Sequence, residues 1–267
     1  MPVESRTVTN REGVRIVAGL GEAVAGHEAE VRACASPVDS LPVRETLRDT
    51  RHHRTVALRD AGRGARILKW QRRRPPGDFW RDVLGGRGSS APAAIEFANL
   101  RALRAGGFSV PDALGWGRTP GGGTFVLLRP VGGIPLDDWL RSPLASDRSA
   151  RREVFAALAA LLARFHGEGW HHRDLYACHV LVDGDRRPAL IDFSRARRAR
   201  RLRSRWREKD LAALQFSTER LPPGRAERLR FLLAYLGKDR VDGEVRRVLR
   251  RVLRRAGRMR RHVPREG

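Results

Sequence analysis

The sequence predicts an α+β chain in two lobes, with a small antiparallel β-rich N-lobe over residues 43–130 and a mostly helical C-lobe over residues 131–267. Three observations predict it. Short apolar runs separated by Gly and Pro turns crowd the first half, which is the pattern of brief half-buried strands. A ten-residue apolar run, Val154 to Ala163, lies inside a longer segment without Gly or Pro, which suits a buried helix. The 267 residues are 41% hydrophobic, enough for one large domain or two cores.

Residues 1–42 carry little pattern and stand as an N-terminal extension or an early strand. Val43–Thr50, Arg54–Leu58 and Arg66–Trp70 read as strands, with Asp60–Gly64 as the turn between the last two. A loop holding Pro75, Pro76, Gly85, Gly86 and Gly88 follows. Pro92 opens a helix that Gly106 and Gly107 stop after Ala105. Val110–Trp116 and Thr124–Leu128 read as two more strands around Pro120–Gly123. Val131–Pro135 then reads as a hinge, Leu136–Leu140 as a short helix and Ser149–His166 as a long one. A compact β-like stretch, Trp170–Phe193, precedes a helical remainder.

No apolar run approaches the roughly 20 residues of a bilayer span, and the first residues lack the apolar core of a signal peptide, so a cytoplasmic protein is expected. Cys34 and Cys178 are too few for a disulfide framework or a cysteine zinc site, and Cys178 reads as a small buried hydrophobe. Charge is the outlier. Lys plus Arg is 54 against 30 Asp plus Glu, a balance of +24 that predicts a polyanionic partner. Lysine stands only at Lys69, Lys209 and Lys238. Arginine concentrates in two runs, 195–207 and 246–261. In the second, Val245, Val248, Leu249, Val252, Leu253 and Ala256 recur at helical spacing. That amphipathic basic helix could lie on an anionic membrane or pack its stripe on the C-lobe. Aromatics are 6% of residues, sparse for a stacking platform, which speaks against nucleic acid.

The densest chemistry is HRDLYACH at 172–179, followed by LIDFSRAR at 190–197. Asp174 and Asp192 flank short apolar strands at Val180–Val182 and Ala189–Ile191, so a hairpin brings both carboxylates to one end. One could accept a hydroxyl proton while the other holds a divalent cation, the division of labour that phosphoryl transfer asks of a protein.

His172-Arg173-Asp174 followed by Asp192-Phe193 resembles the catalytic loop and metal-binding motif of protein-kinase-like enzymes. The stretches ILKW at 67–70, HRDLYACH, LIDFSRAR and RWREKDLAALQFS at 205–217 are similar to the lipopolysaccharide core kinases, which phosphorylate heptose or Kdo. The resemblance covers roughly residues 43–216. It implies a bilobal protein-kinase-like fold and transfer of the ATP γ-phosphate to a core-sugar hydroxyl, with Mg2+ or Mn2+. Asp174 would be the base, Lys69 the phosphate-binding lysine, Glu96 its ion-pair partner and Asp192 the metal ligand. His179 stands where other kinases place asparagine, as a metal ligand or a packed histidine. His172 and Asp210 would hold the catalytic loop. Arg195, Arg197 and Arg198 fall where the acceptor is met, or on a wet basic surface. The partners implied are ATP and an anionic glycolipid or its core sugar, with peripheral membrane contact. A protein Ser/Thr kinase, another small-molecule kinase and an inactive module binding polyanions are the rival readings. Two departures stand out: no GxGxxG lies in the turn at 49–54, and Ser194 replaces the third residue of D-F-G.

Overall fold

The computed structural model describes residues 14–17, 21–36, 40–50, 53–59, 62, 64–72 and 91–262. The chain divides into two compact units, residues 1–131 and 132–267. The first is a seven-stranded antiparallel sheet. Its strands are β1 (Val14–Val17), β2 (Gly21–Val24), β3 (Val43–Asp49), β4 (His53–Leu58), β5 (Arg66–Gln71), β6 (Asp112–Arg118) and β7 (Thr124–Arg129), in the order β1-β2-β6-β7-β5-β4-β3.

Side chains of a strand alternate between faces, and β5 uses both. Leu68 is fully buried and joins Val56, Phe125 and Leu127 in the core, whereas Lys69 points to the other face. Helix α1 (Glu28–Ala33) covers the core side with Val31. It approaches so closely that a Cβ at Gly115 of β6 would collide with Val31. Helix α2 (Pro92–Ala105) starts on Pro92, buries Ala93, Phe97, Leu100 and Leu103, and packs on β6 and β7.

Residues before Val43 therefore do more than extend the chain, since β1, β2 and α1 complete the sheet and its core. Their signal is weak because each element is four to six residues long, below the length at which periodicity separates strand from helix. The Pro- and Gly-rich loop at 75–88 and most of the turn at 60–64 lie outside the described residues.

The second unit is helical around two small sheets. The boundary between the units falls at the start of the predicted hinge, Val131–Pro135, and its last two residues, Ile134–Pro135, form β8, paired with β10 (Val180–Val182), which in turn pairs with β11 (Pro188–Leu190). A residue before proline is held extended, and Ile134 uses that geometry to join a ladder. The helices are α3 (Leu136–Arg141), α4 (Arg148–Gly167), α5 (Ser204–Ser217), α6 (Arg225–Leu236) and α7 (Gly243–His262). Asp147 starts α4 by accepting the amides of Ser149 and Ala150. Leu158, Leu162 and Phe165 of α4 are fully buried, with Leu175 and Phe193. The arginine-rich α7 packs on α5 and buries Val245, Val252 and Ala256 there, while Leu253 stays 47% exposed. Among the described residues no helix is long and apolar enough to cross a membrane.

Candidate active site

Glu96 sits on the buried stripe of α2 and is 0% exposed. A buried carboxylate needs a partner, and Lys69 Nζ donates to its Oε1 at 2.7 Å across the sheet face. Lys69 stays 19% exposed at its side chain. The ammonium is thus positioned by one oxygen yet accessible, as a phosphate contact requires.

In the second unit the loop after β9 (Trp170–His171) is clamped from below. Asp210 of α5 is completely buried. Its Oδ2 accepts the His172 amide at 2.6 Å and its Oδ1 the Arg173 amide at 2.8 Å. His166 Nε2 adds a third contact at 3.3 Å, and its Nδ1 meets the Tyr235 hydroxyl at 2.7 Å. Burial would raise the Asp210 pKa, but His166 and His172 outweigh it and hold the carboxyl below its usual range. The clamp fixes Arg173 at φ 75°, a left-handed conformation that costs an ordinary side chain about 1 kcal/mol or more. Asp174 leaves this turn with a part-exposed carboxylate. His172 is buried, and its Nε2 donates to the Ile191 carbonyl at 2.9 Å, tying the loop to the strand that precedes Asp192.

The β10–β11 ladder does what the spacing requires: Asp174 precedes it and Asp192 follows it. His179 spans the two. Its Nδ1 donates to the Asp174 carbonyl at 2.7 Å and its Nε2 lies 3.6 Å from Asp192 Oδ2. Burial would lower its pKa, yet the Cys178 side chain, the Asp174 carbonyl and the Asp192 charge raise it to about 9. His179 thus ties the Asp174 backbone to Asp192, as a packed histidine would, and its Nε2 faces the carboxylate expected to hold the metal. Cys178 is exposed, against expectation, because the 3-10 turn Ala177–His179 buries Ala177 and turns the thiol outward. Ser194 is not a defect at the third position of the motif: its hydroxyl donates to Asp192 Oδ1 at 3.0 Å, while Asp192 takes the left-handed φ of 65°.

Among the described residues no group of three His, Cys, Asp or Glu side chains converges on a metal. Mg2+ does not need one, since it is held by one or two carboxylates with waters and substrate phosphates. Asp192 fits as such a carboxylate.

Arg195 Nη1 donates to Asp174 Oδ1 at 2.9 Å. The next two arginines behave differently. Arg197 and Arg198 form β12, paired with His171 and Trp170. Arg198 donates to the Glu168 carbonyl at 3.2 Å and covers the Trp170 ring. Arg197 donates to the Ala196 carbonyl. Arg195 is thus held at the carboxylate of Asp174. Trp206 stacks on His171 with centroids 4.9 Å apart. His166 escapes sequence reading; its one signal is an imidazole beside Phe165 in the last turn of α4, just past the apolar run.

Burial under Trp206 pushes the His171 pKa down from 6.5 to about 4. The unfolded chain then binds more protons than the native one between these values, so stability is full above pH 6.5 and falls as pH drops toward 4. The loss from this residue amounts to about 3 kcal/mol at most. Thermal melts from pH 8 to 4.5 should show a shallower acid slope in His171→Phe, and identical slopes would mean that His171 is not the group responsible.

The sequence profile of the lipopolysaccharide kinase (Kdo/WaaP) family matches residues 42–235. The lipopolysaccharide core heptose(I) kinase WaaP of Pseudomonas aeruginosa PAO1 is 29% identical over 226 residues, 79% of this chain and 80% of the relative. The enzyme of the same name from Escherichia coli K12 is 26% identical over 211 residues, covering 72% and 78%. Among solved structures, WaaP in complex with acyl carrier protein superposes with a TM-score of 0.62 at 23% identity, over 87% of this chain and 90% of that one. That likeness shows a protein-kinase-like fold.

Proposed function

The chain belongs to the lipopolysaccharide kinase (Kdo/WaaP) family, and from that premise we propose that it transfers the γ-phosphate of ATP to a heptose hydroxyl of the lipopolysaccharide inner core. Heptose is favoured over Kdo because the relatives are named for it. The observation that carries the reading is the pair Asp174 and Asp192, flanking one ladder and braced by His179. Asp174 accepts the hydroxyl proton as the oxygen attacks, so the alkoxide never forms free in water. Lys69, positioned by Glu96, neutralises phosphate oxygens. Asp192 would hold the divalent cation, whose charge would offset that of the phosphates.

Two partner readings follow. The arginines on the outer face of α7, including Arg246, Arg247, Arg250 and Arg254, are exposed while the apolar stripe faces α5. Contact with an anionic membrane would therefore be electrostatic, without insertion. The solved relative is a complex with acyl carrier protein. In this chain Phe155, Leu211, Leu232 and Val252 line a cavity of about 690 Å3 with Arg225 and Arg228 beside it. An acyl chain suits its apolar lining.

The test is direct. The purified protein should label a heptose-containing core oligosaccharide from γ-labelled ATP. Lys69→Ala and Asp192→Ala should each remove about 10²-fold or more of the rate, and together less than the product of both losses, because residues acting as a unit are not additive. Absence of transfer to any core sugar, or fully additive losses, would refute the assignment.

A further inference from the structure

We propose that Lys209, Arg173 and Arg195 form a subsite for an anionic group, a phosphate or a carboxylate, carried by the acceptor sugar, and that this anion draws Arg195 away from Asp174. The inference rests on the sugar-kinase reading above and states what the acceptor must carry.

Trp206 and Lys209 lie on α5 at i and i+3, and so share a face of the helix. The Arg173 guanidinium lies over the Trp206 ring, 5.8 Å from its centroid. Lys209 is therefore on the side of α5 that Arg173 covers. Arg173 immediately precedes Asp174, whose Oδ1 is engaged by Arg195 at 2.9 Å. Arg195 is thus on the Asp174 carboxylate, and Lys209 lies near enough to feel the charges of Arg173, Arg195 and Asp174.

Lys209 is half-buried, and among the described residues no hydrogen bond or ion pair engages its ammonium. The adjacent carboxylate is committed elsewhere, because Asp210 serves His166, His172 and Arg173. Burial and the charges of Arg173 and Arg195 push the Lys209 pKa down, which Asp174 and Asp210 only partly offset. Holding like charges together partly out of water is unfavourable. Perturbed charged groups of this kind cluster at functional sites. Arg195 is 50% exposed in its pair with Asp174. Exposed pairs of this kind are weak, so an oxyanion on the acceptor can compete for the guanidinium. Its arrival leaves Asp174 Oδ1 open to the hydroxyl that must lose a proton. A neutral sugar has nothing with which to make that exchange.

Binding without nucleotide tests the subsite apart from turnover. The probe is a heptose–Kdo core oligosaccharide in three forms: intact, carboxyl-reduced and phosphatase-treated. By calorimetry, Lys209→Met should bind the intact form about tenfold more weakly than the parent, the scale of one charge-assisted hydrogen bond. Lys209→Arg should recover most of the affinity, which separates lost charge from lost packing. One of the two treated forms should bind parent and Lys209→Met alike, and whichever does so identifies the carboxylate or the phosphate as the anion. Unchanged affinity of Lys209→Met for the intact form would overturn the subsite, as would a Lys209 effect that survives both treatments. A protein that passes this binding test but transfers no phosphate would refute the proposed reaction and leave the subsite standing.

Discussion

Asp174→Asn should lower turnover on the core-sugar acceptor by roughly 10²- to 10⁴-fold, the usual worth of general-base catalysis, with ATP affinity close to the parent's. The amide preserves size and can still accept the Arg195 hydrogen bond that Asp174 Oδ1 takes at 2.9 Å. Its backbone contacts to Tyr176 and His179 are unaffected by the exchange. What it cannot do is take a proton. The loss should therefore fall on kcat with little change in melting temperature, since the side chain is part-exposed and outside the Asp210 clamp. Near-parental turnover of this variant would remove Asp174 from the chemistry.

Asp210→Ala should cost stability as well as activity. Removing a fully buried carboxylate strands the His172 and Arg173 amides and the His166 imidazole inside the second unit. Breaking a buried charged network in this way costs about 3–5 kcal/mol, or a fall in Tm on the order of 10 °C for a chain of this size. Without the clamp nothing holds Arg173 at φ 75°, so the loop relaxes and Asp174 loses its position. Asp210→Asn, which keeps oxygen acceptance at one atom, should lie between parent and Ala in both melting and turnover. A Tm within 2 °C of the parent for Asp210→Ala, read by calorimetry, would show that the network does not support the loop.

Much of the site was legible in the sequence because phosphoryl transfer leaves a local imprint. Asp174 and Asp192 are tied by a short ladder, β10–β11, so their proximity follows from pattern and spacing. Lys69 follows the buried Leu68 in β5, and α2 begins on a proline and ends at Gly106. The same holds for Asp210, which lies 36 residues after Asp174 and was expected below the loop because of the motif it belongs to.

Other features depend on contacts between distant segments, which a linear pattern does not record. Strands β1 and β2 are too short to announce themselves, and only pairing of β2 with β6, and of β1 with β2, makes them part of the sheet. Ile134–Pro135 ends the segment that reads as a hinge, and becomes a strand only because β10 offers it a partner. His179 matches a metal-ligand position in the motif, and only the fold sets it between Asp174 and Asp192, held by the Asp174 carbonyl and facing the Asp192 carboxylate. The arginine run at 195–207 looks uniform as text. Pairing of β12 with β9 commits Arg197 and Arg198 to a strand, while Arg195 is left to reach Asp174. Order along the chain specifies which groups are available for the chemistry. Which of them is buried, paired or exposed follows from the desolvation and hydrogen bonding that packing imposes, and those depend on residues far away in sequence.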